Sequence, residues 1–96
     1  MIDQIITTLI ENPTEENKTK FERELNILEY STLQEAESFP PKSREYFQKR
    51  TEAFAIRPNC AKMVLSKWVS KFGSTQGCPV TYEMTLNIPF RQIKKP

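Results

Sequence analysis

Apolar residues recur every three to four positions along most of this chain and every second position near its end. That pattern predicts several helices followed by one extended segment. Ile2, Ile5, Ile6, Leu9 and Ile10 share one side of a helical wheel and predict a short amphipathic helix, although their β-branched content also suits a strand. Asn12 stands where an N-cap is wanted, with Pro13 in the first turn and Glu15 near the positive end of a second helix. That helix is expected to reach about Tyr30, burying Phe21, Leu25 and Leu28 and turning its glutamates to solvent. Ser31 and Gln34 have capping-box spacing, which predicts a separate short helix carrying Leu33 and Ala36 until Pro40 and Pro41 stop it.

Beyond the double proline, residues 41–56 read as a further helix with Tyr46, Phe47, Ala53 and Phe54 on one side. Arg50 falls inside that apolar arc, where its stem is expected to pack while its guanidinium snorkels outward or meets a glutamate. Pro58 and Asn59 are expected to open another helix, ending at Phe72 with Gly73 as a left-handed cap. Ala61, Val64, Leu65, Trp68, Val69 and Phe72 supply its core side. The period then changes: Val80, Tyr82, Met84, Leu86, Ile88 and Phe90 alternate with Thr81, Glu83, Thr85, Asn87 and Pro89, which reads as one long strand. Pro89 bars that strand from the centre of a sheet, and no second segment offers an obvious partner. The expected fold is mainly α: a single domain over residues 1–96, a bundle of about four helices with a C-terminal extended strand. Residues 79–96 would form an extended arm.

Composition narrows the classes. A hydrophobic fraction of 38% in 96 residues allows one modest core. No apolar run is long enough to span a bilayer, and the N-terminus lacks the features of a secretory signal, so a cytoplasmic location without a membrane partner is expected. Cys60 and Cys78, with no histidine anywhere, fall short of a four-ligand zinc site and are expected to be plain thiols. The absence of histidine also removes ordinary Ser-His and Cys-His pairs, and the two glycines build no phosphate loop. No enzyme, metal or cofactor is expected.

Charge is segregated along the chain. Residues 1–37 hold nine carboxylates against three cations, whereas residues 38–96 hold eleven cations against three carboxylates. Such polarity points toward a charged partner. On the second half, Lys62, Ser66, Lys67, Ser70 and Lys71, with Met63 among them, occupy one half-cylinder of a helix free of carboxylates, which suits phosphate oxygens. Arg44, Lys49 and Arg57 would extend that surface, as would Arg91, Lys94 and Lys95 on the tail. The function expected is a small non-catalytic nucleic-acid-binding subunit of a larger assembly, gripping a DNA or RNA backbone with little base readout. The alternative is a protein-binding adaptor or inhibitor that uses its acidic N-terminal helix, through residues such as Glu22 and Glu29. Its C-terminal strand would offer Tyr82, Met84, Leu86 and Ile88 to a protein partner or a second copy. Self-association of acidic and basic halves is a third possibility.

Overall fold

Ile6, Leu9 and Ile10 bury fully or nearly so on one face of a helix, α1, over Ile2–Glu11. The first segment is therefore helical, which also removes the one candidate partner for a C-terminal strand. The computed structural model describes residues 2–88 and 91–96, and in it two longer helices follow: α2 over Glu15–Glu37 and α3 over Arg44–Phe72. The chain is thus mainly α, with three α-helices among the described residues where about four and a strand were expected.

Local chemistry explains each departure. Thr14, not Asn12, caps α2: its backbone is extended and its side chain accepts a hydrogen bond from the Asn17 amide at 3.1 Å. Pro13 lies just before that cap, and Asn12 contributes through its carbonyl, which accepts from Asn17 Nδ2 at 2.7 Å. Ser31 does not begin a new helix. Here the adjacent Thr32 hydroxyl donates to the Leu28 carbonyl at 2.8 Å, one turn back, so the polar pair accompanies an uninterrupted α2. After Pro40, Ser43 caps α3 by accepting from the Tyr46 amide at 3.2 Å. Lys42 takes a left-handed φ of 65° in the intervening turn.

Pro58 sits inside α3 and is buried, where a helix start had been expected. Its missing N–H leaves the Phe54 carbonyl, four residues earlier, without its helical donor. Arg91 supplies one: its guanidinium donates to the Phe54 oxygen at 3.3 Å. The two helices expected on either side of Pro58 are consequently one rod of 29 residues, about 43 Å long at the usual rise. It sets the long dimension of a molecule measuring 46 × 21 × 19 Å.

α2 and α3 pack as a hairpin, and α1 lies across the end where α2 begins and α3 finishes. There Ile6, Leu9, Ile10, Phe21, Leu25, Ala61, Val64, Trp68 and Val80 form the core, each large aliphatic or aromatic member worth about 1.5–3 kcal/mol by burial. Gly73 closes α3 with φ 78°, the left-handed cap expected of it, and its N–H reaches the Val69 carbonyl at 2.8 Å. Trp68 Nε1 donates to the Gln76 carbonyl at 3.1 Å and so fastens the following turn.

The alternating segment is not a strand. With no ladder to join, Met84 N–H turns back to Thr81 O and Leu86 N–H to Glu83 O, both at 3.1 Å, giving a single 3-10 turn, η1, over Tyr82–Thr85. The turn destroys the two-residue period: Val80 and Thr85 are buried and Met84 half-buried, whereas Tyr82, Leu86 and Ile88 are exposed. The expected strand also included Pro89 and Phe90, which lie outside the described residues.

Candidate docking groove

Two features stand out from the helical scaffold: a buried ion cluster between the long helices, and an open groove along the last half of α3. The cluster centres on Glu29, whose side chain is 1% exposed although it belongs to the acidic helix. Arg57 on α3 donates to Oε1 through Nε at 3.3 Å and Nη2 at 3.1 Å, and Arg91 on the tail donates to Oε2. The Arg91 guanidinium also lies 5.8 Å from the centre of the Phe54 ring. Acidic and basic halves therefore meet inside the fold at this point. A carboxylate so enclosed is stabilised only while both forks remain in place.

This arrangement relocates several residues read from sequence as surface contacts. Arg57 is committed to Glu29, and Glu29 is interior and unable to meet a partner. Lys49 bridges Glu35 at 3.2 Å and Glu52 at 3.1 Å, and hydrogen bonds to Glu52 and then Glu35 raise its pKa. Arg44 is exposed at the start of α3, about 27 Å of helix rise from Lys62. Arg50 donates to the Tyr46 hydroxyl at 2.9 Å, its guanidinium 5.9 Å from the Tyr46 ring centre and 5.6 Å from that of Phe54. Its guanidinium thus meets a tyrosine hydroxyl and two aromatic rings.

The groove lies between α3 and η1. Lys62, Ser66 and Ser70 stand on one row of α3, Leu65 and Val69 form the adjacent apolar row, and Tyr82 rises opposite with Thr75 and Thr85 beside it. Its volume is about 520 Å³. Thr85 is fixed from beneath, its hydroxyl donating to the Tyr82 carbonyl at 2.6 Å, which sets the turn that presents the Tyr82 ring. That ring is 73% exposed. Val69 in the same groove is exposed, as are Phe72, Leu86 and Ile88 nearby in sequence, whereas Met84 packs against the core.

The phosphate-facing half-cylinder expected from sequence is divided by this geometry. Lys62, Ser66 and Ser70 enter the groove. Lys67 and Lys71 are exposed, but stand 140° and 180° around the helix from Lys62, and Lys71 Nζ lies 5.3 Å from the Phe72 ring centre. Tyr82, assigned to a strand edge, joins the lysine and serines instead. Leu65, Val69, Thr75 and Thr85 were not singled out as site residues, because helical spacing placed the first two in the core and no pattern folded the last two back onto α3.

Cys60 and Cys78 are free thiols, each half-buried against the core. Burial, reinforced by Asp3 and then Glu29, pushes the Cys60 thiol upward in pKa, away from the thiolate a nucleophile would need. Among the described residues no group of three or more potential ligands gathers to hold a metal ion. No described helix is long and apolar enough to cross a membrane. Compared with protein-family models, with curated proteins and with solved structures, the chain matches none.

Proposed function

We propose that this chain is a non-catalytic protein-interaction module whose working face is the groove between the last half of α3 and η1. One observation carries the reading. Of the eight large hydrophobic side chains exposed among the described residues, Val69 and Tyr82 line the groove itself, with half-buried Leu65 between them and the serine row, and Phe72, Leu86 and Ile88 follow within a few residues along the chain. Exposed apolar side chains gathered beside a polar rim are what a docking surface requires, whereas single scattered ones need no explanation. The mode differs from the strand addition expected from sequence, because the partner would meet side chains rather than a free sheet edge.

A nucleic-acid role draws support from the Lys62, Ser66 and Ser70 row beside an exposed tyrosine. It is the weaker reading, since Arg57 is held by buried Glu29, Lys49 is already bridged at the surface by Glu35 and Glu52, and Arg44 is remote. Phosphate-driven affinity needs several cations acting together.

Site-specific photo-cross-linking tests the docking reading. A benzophenone side chain at Val69 should give a defined adduct in an extract of the source cells, while the same group at Ile27, exposed on the far side of α2, should not. Replacing Leu86 by Asp should remove the Val69 adduct without altering helicity. Equal labelling from both positions, or none from Val69, would refute the assignment.

A further inference from the structure

We infer that the groove takes an acidic peptide segment. An apolar side chain of the segment would rest on Leu65, Val69 and Tyr82 while its carboxylates meet Lys62, Ser66 and Ser70. The inference rests on the docking reading and adds the chemistry of the partner.

Three observations point to that chemistry. Lys62, Ser66 and Ser70 are spaced i, i+4, i+8, so their donors follow one another at about 6 Å along the helix. Same-face side chains of an extended peptide recur at about 6.6–6.8 Å, close enough for alternate residues to track the row. Secondly, α3 carries no carboxylate from Pro58 to Phe72, Lys62 lines the groove, Lys67 and Lys71 follow further around the same helix, and among the described residues no ion pair neutralises any of the three. Such a field draws an acidic segment in and repels a basic one. Thirdly, the floor is aliphatic. Leu65 and Val69 suit a branched apolar side chain, and only Tyr82 offers a surface on which a base would stack.

Other occupants fit less well. A nucleic-acid backbone following the groove would find one cation in its lining, Lys62, where phosphate-driven affinity needs several, and one ring, Tyr82, on which a base could stack. A second copy could bring its exposed acidic connection, Glu11 to Glu16, but that stretch carries no apolar anchor and the neighbouring Leu9 and Ile10 are buried.

The test is titration of the full chain with fluorescein-labelled, end-blocked octapeptides, followed by anisotropy and by amide shifts in nitrogen-15 spectra. The probes are alternating glutamate and leucine, alternating lysine and leucine, alternating glutamate and serine, and a thymidine oligonucleotide. The glutamate–leucine peptide should bind best, with shifts centred on residues 62–70 and 82–85. Lys62→Glu and Val69→Asp should each weaken it by about tenfold, the first through charge and the second through the floor. Lys62→Glu should also gain affinity for the lysine–leucine peptide, a reversal that loss of folding cannot produce. Equal binding of both leucine peptides would overturn the acidic specificity and leave docking intact. No binding by any peptide would overturn both. Tighter binding of the oligonucleotide at the same residues would replace the partner by a phosphate backbone, and a dimer in sedimentation that covers the groove would replace it by a second copy.

Discussion

Replacing Glu29 by leucine removes the carboxylate that holds Arg57 and Arg91 and leaves two guanidinium groups facing each other between the long helices. Removing one partner from a fully buried pair costs about 3–5 kcal/mol. Here the two arginine side chains keep 26% and 21% of their exposure, so water reaches both forks and the loss is placed at about 2–3 kcal/mol. Glu29→Gln retains one acceptor of the same shape and should lose about 1–2 kcal/mol. A domain of this size has about 5–14 kcal/mol in total, and in urea the leucine variant should unfold about 1–2 M earlier. Far-ultraviolet circular dichroism and Trp68 fluorescence would both report the transition. Adding Arg57→Leu and Arg91→Met to Glu29→Leu should restore at least half of the loss, because the charges are then removed together. A Glu29→Leu protein as stable as the parent would refute the reading that Glu29, Arg57 and Arg91 stabilise one another in the fold.

Other outcomes follow from neighbouring features. Pro58→Ala returns a donor to the Phe54 carbonyl, so Arg91→Met should cost about 0.5–1 kcal/mol less in that background than in the parent; equal costs by urea titration would show that Arg91 does not serve that oxygen. Gly73→Ala meets no atom within 4 Å, so its effect is the left-handed backbone penalty alone, about 1–2 kcal/mol, read as a lower melting temperature. Cys60 holds its proton more tightly in the folded chain than in the unfolded one. Its contribution to stability is therefore full below the ordinary thiol value and is lost as pH rises through the raised folded value. Urea midpoints should accordingly fall less steeply above pH 9 in Cys60→Ala than in the parent, and parallel slopes would contradict burial of this thiol.

The sequence made α1, the core face of α2 and the Gly73 cap readable because each depends on neighbours one turn away: Ile6 with Leu9 and Ile10, Phe21 with Leu25, Val69 with Gly73. What failed depended on distant residues. Pro58 looked like a helix start because its cost is local, while the donor that relieves Phe54 comes from Arg91, 37 positions from that carbonyl. The alternation from Val80 to Ile88 looked like a strand because side-chain period is visible and absence of a partner strand is decided elsewhere. In the groove, Lys62, Ser66 and Ser70 were legible as one helical row. Their opposite wall was not, since Tyr82 reaches it only after the chain leaves α3 at Gly73 and returns into the η1 turn. Charge segregation was visible too, but not that Glu29 and Arg57 cancel part of it inside the fold.

The Glu29 cluster also imposes an order of assembly. Arg57 is 28 residues from Glu29 and Arg91 is 62, so closing the longer loop costs about 0.7 kcal/mol more chain entropy. The hairpin contact should then be made on the way up the folding barrier and the tail contact on the way down. In stopped-flow experiments Arg57→Met should slow folding, whereas Arg91→Met should leave folding almost unchanged and speed unfolding. The tail would thus govern how long the folded molecule persists more than how quickly it arises.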